Sequence, residues 1–307
     1  MSSKQYLQTN RRRFFCRLTQ SLILAVCLLA GSGIALAQSQ HLQDALTLAG
    51  QIRQKGEAGI FVDAGNVPLN RHGGAWSSPN QSYIRFEGTG TLPGNYTECA
   101  PFVTRILQHS YNWNWSTYKW TDPATGLPTS TASPNSYKYV IYIKSLLGFS
   151  QQLMSVDQVQ PGDIVAMRDI GQTTGHTAIV VSVNPASAKP YPSAWSGALA
   201  KWAGTTYYEL NVVDSSDYYH SADSKKFFDQ NGLLITQTRG LGTGIMGVLV
   251  NANLEVVAHT WSLPDGDYCG SPAMQTQWLN SLHANLRDQV AAGGREMVFG
   301  RLNSPAN

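Results

Sequence analysis

Cysteine is scarce in this chain, with four among 307 residues. Two of these, Cys16 and Cys27, fall in an N-terminal stretch that reads as an export signal, which leaves Cys99 and Cys269. Two cysteines cannot build the disulfide framework of a small secreted scaffold. The apolar run Ser21 to Ala30 is too short to span a bilayer comfortably, so no stable membrane anchor is expected. Internal repeats, low-complexity tracts and the H-x-x-x-H or Cys/His spacings of metal sites are also missing. No metal or other cofactor is therefore expected. An excess of positive charge is missing too. Five of the 22 basic residues, and none of the 19 acidic ones, lie in the first 37 positions, so the remainder carries a formal net charge of −2. That balance gives no reason to expect a nucleic-acid partner.

The N-terminus has the layout of a signal peptide. Lys4, Arg11, Arg12, Arg13 and Arg17 precede the short apolar core, and Ala35-Leu36-Ala37 is an A-x-A cleavage site before Gln38. Arg11-Arg12-Arg13-Phe14-Phe15 also fits a twin-arginine core, with Asn10 where Ser or Thr is usual. Cys27 follows the bulky Val26, a poor lipoprotein cleavage site. The expectation is a periplasmic or secreted protein with residues 1–37 removed, an N-terminal helical and loop segment over 38–79, and a catalytic domain over 80–307.

The chemistry centres on Asn95-Tyr96-Thr97-Glu98-Cys99-Ala100-Pro101-Phe102-Val103. Phe102, Val103, Ile106 and Leu107 follow helical spacing, Thr97 can cap the start, and Pro101 suits a first turn. Cys99 is thereby placed at a helix N-terminus, where the dipole favours a thiolate. Gly175-His176-Thr177-Ala178-Ile179-Val180 supplies an imidazole at a strand start. Asp214 follows the apolar strand Leu210–Val213, and can orient His176 if the two strands are neighbours. A nucleophile, a base and an orienting polar group are the parts that thiol acyl transfer needs.

Elsewhere, helices are expected after the cleavage site (Leu42, Ala45, Leu46, Ala49, Ile52) and over Tyr137–Leu147. A strand is expected at Ile60–Val62. After Pro161-Gly162 the pattern changes to strands at 163–167, 177–183, 207–213, 245–250 and 254–261. Residues 184–206 read as a long insertion, and a helix over 278–290 and a strand over 297–302 close the chain. Helices first and antiparallel strands after give an α+β fold rather than alternating βαβ. The aromatics at 111–120 and 191–208 either line a groove or pack over the core.

Four motifs carry a resemblance. Tyr96-x-x-Cys99-x-x-Phe102-Val103, Val159-Gln160-Pro161-Gly162-Asp163-Ile164-Val165, Gly175-His176-Thr177-Ala178-Ile179-Val180 and Val212-Val213-Asp214-Ser215-Ser216 resemble the NlpC-type family of papain-like cell-wall cysteine peptidases and its CHAP amidase relatives. The resemblance spans about residues 80–260. It implies a papain-like fold, with N-terminal helices packed on an antiparallel sheet. Cys99 would be the nucleophile, His176 the base and Asp214 the third residue, with His220 an alternative in that place. It also implies a peptidoglycan or peptide substrate, met by Tyr96 and Glu98. The family usually has Asp-Cys-Ser-Gly at the nucleophile, whereas this chain has Glu98-Cys99-Ala100-Pro101. Two other readings stand beside it. One is a non-catalytic envelope module with a Cys99–Cys269 disulfide; the other is a thiol amidase or acyltransferase with a different substrate.

Overall fold

The computed structural model describes residues 39–73, 82–121, 126–169, 175–190, 204–262, 283–284 and 295–303. The export signal lies outside the described residues, as do Cys269 and most of the expected helix over 278–290. Helix α1 (Gln40–Glu57) comes first, followed by strands β1 (Asn70–His72), β2 (Tyr83–Arg85) and β3 (Gly94–Thr97). Helix α2 (Cys99–Tyr111), the short pair β4 (Trp120–Thr121) and β5 (Pro128–Thr129), helix α3 (Ser136–Lys144) and β6 (Phe149–Leu153) complete the first half. The second half is almost all strand: β7 (Ile164–Asp169), β8 (Gly175–Pro190), β9 (Thr206–Ser216), β10 (Lys226–Phe228), β11 (Leu234–Gln237), β12 (Gly240–Val250), β13 (Val256–Thr260), β14 (His283–Ala284) and β15 (Arg295–Leu302). The fold is α+β.

Eight strands form one antiparallel sheet in the order β14-β13-β12-β9-β8-β7-β15-β6. Strand residues alternate between its faces. Ile164, Ala166, Ile179, Val213 and Val298 point to the helices, where Leu42, Phe102, Val103, Ile106, Leu107 and Tyr139 complete one core. Val165, Met167, Ala178, Val180, Val212 and Phe299 point the other way and form a second core with Val156 and Val159. The buried runs in these strands follow from this double covering.

A small second sheet, β1-β3-β2, leads directly into α2. Strand β1 pairs in parallel with β3, so residues on both sides of position 80 share one sheet. The turn at Pro161-Gly162-Asp163 is held by ionic contacts. Arg301 on β15 grips the Asp163 carboxylate at 3.0 and 2.9 Å, and the Gln160 N–H donates to it at 2.7 Å. Asp163 thus serves the fold.

Several local expectations change. Ile60–Val62 forms no strand; Val62 makes an isolated bridge to Pro68, and the strand lies at β1. Thr97 does not cap α2, because its hydroxyl donates to Asn95 Oδ1 at 2.7 Å and Glu98 holds the cap position. His283–Ala284, inside the expected last helix, pairs with β13 as a strand. Strand β8 runs to Pro190, into the stretch read as an insertion. The aromatics at 113–120 are core: Trp113, Trp115 and Trp120 are buried, and Trp115 packs between Tyr139, Tyr142 and Phe149.

Candidate active site

Helix α2 begins at Cys99, with Glu98 alone between it and the end of β3 at Thr97. The first N–H groups of a helix have no acceptor within it. Phe102 N–H is already given to Glu98 O at 2.9 Å, and Pro101 has no N–H. The Glu98 side chain caps nothing, so the N–H groups of Cys99 and Ala100 open the helix without a side-chain cap. Cys99 is half-buried and, among the described residues, its thiol is not bridged.

Strand β8 brings His176 to this helix start. Gly175 pairs with Arg168 on β7, and a Cβ there would lie 2.0 Å from the Met167 carbonyl oxygen. Only glycine lets β7 and β8 approach so closely just before the histidine. His176 lies close enough to Cys99 that each shifts the other's titration, while its Nε2 lies 2.7 Å from Asp214 Oδ2. That contact is close but out of line with the ring N–H, an ion pair more than a linear hydrogen bond. With Nε2 turned to Asp214, Nδ1 is the nitrogen left for the sulfur.

Asp214 sits on β9, the neighbour of β8, and is wholly buried. Its Oδ2 meets a second histidine, His220, at 2.9 Å. His220 Nδ1 bonds the Trp261 carbonyl at 2.7 Å, and the Trp261 ring stacks on His220 and meets His176 edge-on. Lys225 Nζ stands 4.0 Å from Asp214 Oδ1 and 3.3 Å from Asp223 Oδ2. Asp223 in turn accepts the backbone N–H groups of His220 and Lys225. These buried charges are paired throughout, as buried charges must be.

The electrostatics follow from this layout. Burial pushes the Cys99 thiol up, but His176, Ser136 and the Thr177 N–H outweigh it and the net shift is downward. Burial opposes a charge on His176, yet Cys99 and Asp214 prevail and raise it to about 9. Burial also works against the Asp214 carboxylate, while His220, Lys225 and His176 hold it well below the usual range. The arrangement favours a thiolate–imidazolium pair backed by a carboxylate.

Cys99, His176 and Asp214 are therefore brought together, and His220 shares Asp214 rather than replacing it. His176, Asp214 and His220 form a tight trio, but their spacings of 2.7 and 2.9 Å are hydrogen-bonding distances. Ligands about 2.1 Å from one metal ion normally stand about 3 Å or more apart. Asp217 does not join the trio; it pairs with His72 at 3.2 Å and Arg239 at 3.5 Å. Tyr96 is half-buried beneath the Arg71 guanidinium, 3.6 Å from its ring centre. Glu98 is half-exposed, and burial raises its pKa with Asp217 adding to the effect.

Ser136, Thr177, Lys225 and Trp261 did not stand out in the sequence. Ser136 Oγ lies 3.5 Å from the Cys99 sulfur and 2.9 Å from Thr177 Oγ1. Asn135 before it was the available signal, since Asn is a strong helix cap, and here its side chain accepts from Lys138 N at 3.0 Å.

Half-buried Cys99 at a helix start, with buried His176 and Asp214 on the neighbouring strands, supplies the residue types that thiol acyl transfer needs. The family model described as "Putative amidase domain" matches residues 70–211. The matched span holds Cys99, Ser136 and His176 and stops just before Asp214. No curated protein and no solved structure matches the chain. The match supports an amidase-like domain and hydrolase chemistry on amide bonds.

Proposed function

We propose that this protein is an exported cysteine amidase or peptidase that cleaves an amide bond in peptidoglycan, either in the stem peptide or between stem and sugar. The observation that carries the reading is the buried His176 ring, 2.7 Å from buried Asp214 and close enough to Cys99 that the two shift each other's titration. In this reading the Cys99 thiolate attacks the amide carbonyl and the C–S bond forms. The N–H groups of Cys99 and Ala100, at the positive end of α2, receive the oxyanion. Imidazolium His176 gives its proton to the leaving amine as the C–N bond breaks. Neutral His176 then takes a proton from the water that attacks the thioester; the C–S bond breaks, the acid is freed and the thiolate–imidazolium pair is restored.

Tyr96 and Glu98 shortly precede the nucleophile in sequence and are the proposed substrate contacts. Glu98 and Asp217 together place negative charge beside the site, suited to a free amine on the substrate. Export rests on the N-terminal sequence pattern, with the basic leader and Ala35-Leu36-Ala37 as its support.

The test is digestion of purified sacculi with mass spectrometry of the released fragments. Wild type should release fragments with a new amine, and Cys99→Ala should release none. Small buried thiols contribute little packing, so Cys99→Ala should stay within about 1 kcal/mol of wild-type stability. Sacculi left intact by wild type, with thiol-dependent cleavage of another amide, would move the substrate away from the cell wall. Full activity in Cys99→Ala would end the cysteine mechanism.

A further inference from the structure

The Cys99 sulfur has a second polar neighbour that the mechanism above leaves idle. Ser136 opens α3 and is 4% exposed, with its Oγ 3.5 Å from Cys99 Sγ. Thr177, the residue after the proposed base, is fully buried and donates its own hydroxyl hydrogen to Ser136 Oγ at 2.9 Å. That direction settles the Ser136 hydrogen. A hydroxyl has one hydrogen, and the side facing Thr177 is occupied as acceptor. Among the described residues, the acceptor left for Ser136 O–H is the Cys99 sulfur.

We infer that Ser136 is a catalytic hydroxyl, directed by Thr177 to donate a hydrogen bond to the Cys99 thiolate and hold it ready for attack. The inference rests on Cys99 being the nucleophile. No proton leaves Ser136: the thiol proton passes to His176, and the serine O–H only bonds the charge that remains. The backbone supports the same geometry. The main-chain N–H of Thr177 also favours the thiolate, so one residue of β8 acts on the sulfur and on Ser136. A hydrogen bond to a charged acceptor is stronger than one to a neutral acceptor, so the chain favours thiolate over thiol. The downward shift of Cys99, to which Ser136 contributes, agrees in sign.

His176 is the largest lowering influence on Cys99, and the remaining side chains near the sulfur do not add to that of Ser136. Tyr139 of α3 bonds Thr104 at 3.0 Å, and burial raises its pKa so that it stays neutral. Glu98 precedes the nucleophile and adds negative charge, which disfavours a thiolate. Asp214 acts through His176. Gly175 O, 4.0 Å from the sulfur, can only accept from the thiol form. Ser136 is therefore the side-chain hydroxyl placed to favour the thiolate.

The roles differ in what removal does. When the C–S bond forms, charge leaves the sulfur and the Ser136 bond weakens. Ser136→Ala should therefore raise the pH at which the thiolate forms without lowering the nucleophilicity of the thiolate once formed. The experiment is the pH dependence of Cys99 alkylation by iodoacetamide in the full chain, read by peptide mass spectrometry so that other cysteines do not contribute. Ser136→Ala should move the acid limb up by about half to one pH unit, with a plateau rate equal to or above wild type. Below the limb this is about a three- to tenfold slower alkylation. Thr177→Val should shift the limb the same way by less, and Thr177→Ser should restore it. An unmoved limb in a folded Ser136→Ala would overturn the inference. A shifted limb in Ser136→Ala with none in Thr177→Val would remove the directing role of Thr177. A wild-type Cys99 that behaves as an ordinary thiol would overturn the nucleophile reading itself, and so is told apart from either result.

Discussion

Asp214 Oδ2 lies 2.7 Å from His176 Nε2 and 2.9 Å from His220 Nε2, so one buried carboxylate oxygen serves two imidazoles. The arrangement follows from strand order. Strand β9 lies beside β8, with Val213 opposite Ile179, and continuing that register puts Asp214 on the same face as His176 one diagonal step away. His220 comes from the loop after β9 and is fixed by the Trp261 carbonyl behind it. Asp214 is therefore held from the rear, and its position relative to the base does not depend on His176 alone.

The first prediction concerns that carboxylate. Asp214→Asn keeps the shape and removes the charge that helps raise His176 to about 9. The alkaline limb of the pH–rate profile marks loss of the His176 proton, so wild type should fall off near pH 9 and the variant at lower pH. Activity at neutral pH should drop about a hundredfold or more. Stability should fall by about 3 kcal/mol, since buried Lys225 loses a counter-charge. An alkaline limb unmoved in Asp214→Asn would show that Asp214 does not support the imidazolium.

The second prediction turns on Gly175. An alanine Cβ there would press on the Met167 carbonyl oxygen at 2.0 Å and Arg168 Cα at 2.9 Å, both backbone. Strands β7 and β8 must separate, which costs about 1–3 kcal/mol and displaces the adjacent His176. A displacement of about 1 Å can cost about a hundredfold in rate. Gly50→Ala is the matched control, because nothing lies within 4 Å of its Cβ on the exposed face of α1. It should be neutral or stabilising by up to about 1 kcal/mol. Equal activities in the two variants would dissociate the glycine from the placement of the base.

The parts of the site legible in sequence were those carried by local pattern. The spacing of Phe102, Val103, Ile106 and Leu107 located α2, and with it Cys99 at the helix start. The Gly175-His176 step placed the imidazole at a strand start, where a side chain can project from the sheet edge, and β8 does begin at Gly175. Asp214 was conditional on a strand neighbour that only the fold could supply, and β8 and β9 do pair. Ser136 and Thr177 could not be read, since a serine and a threonine 41 residues apart carry no pattern linking them to a sulfur. The Trp113–Trp120 stretch is polar around its aromatics, which hides that its rings are buried against α3 and β6. Asn112, left-handed at φ 54°, turns the chain back at the end of α2 and directs those rings inward.

The third prediction tests the acidic approach to the site. If Glu98 meets a cationic group on the substrate, Glu98→Gln should raise KM about three- to tenfold for substrates with a free amine and leave kcat nearly unchanged. An N-acetylated version of the same substrate should not distinguish the two proteins. Equal KM changes on both substrates would assign Glu98 to the helix start alone.

The last prediction concerns stability in acid and a histidine far from the chemistry in sequence. His41 on α1 is 3% exposed and lies between Tyr111 on α2 and the Gly162 turn. Gly162 O can only accept, so His41 Nε2 donates to it at 2.7 Å. Nδ1 then accepts from the Tyr111 hydroxyl at 3.0 Å. The neutral ring is thus satisfied at both nitrogens, and a second proton would find a buried donor rather than an acceptor. Burial accordingly lowers His41 to about 4 from 6.5, against smaller opposing effects of Gly162 and Asp44. The unfolded chain binds the proton first as pH falls, so the contribution of neutral His41 is fully present above about pH 6.5 and is lost as pH falls through about 4. The shift corresponds to about 3 kcal/mol. His41→Gln keeps a donor and an acceptor and removes the titration. Urea unfolding at pH 7 and pH 4 should show wild type losing about 3 kcal/mol more than the variant over that interval. Parallel losses in the two proteins would mean that other groups govern acid unfolding.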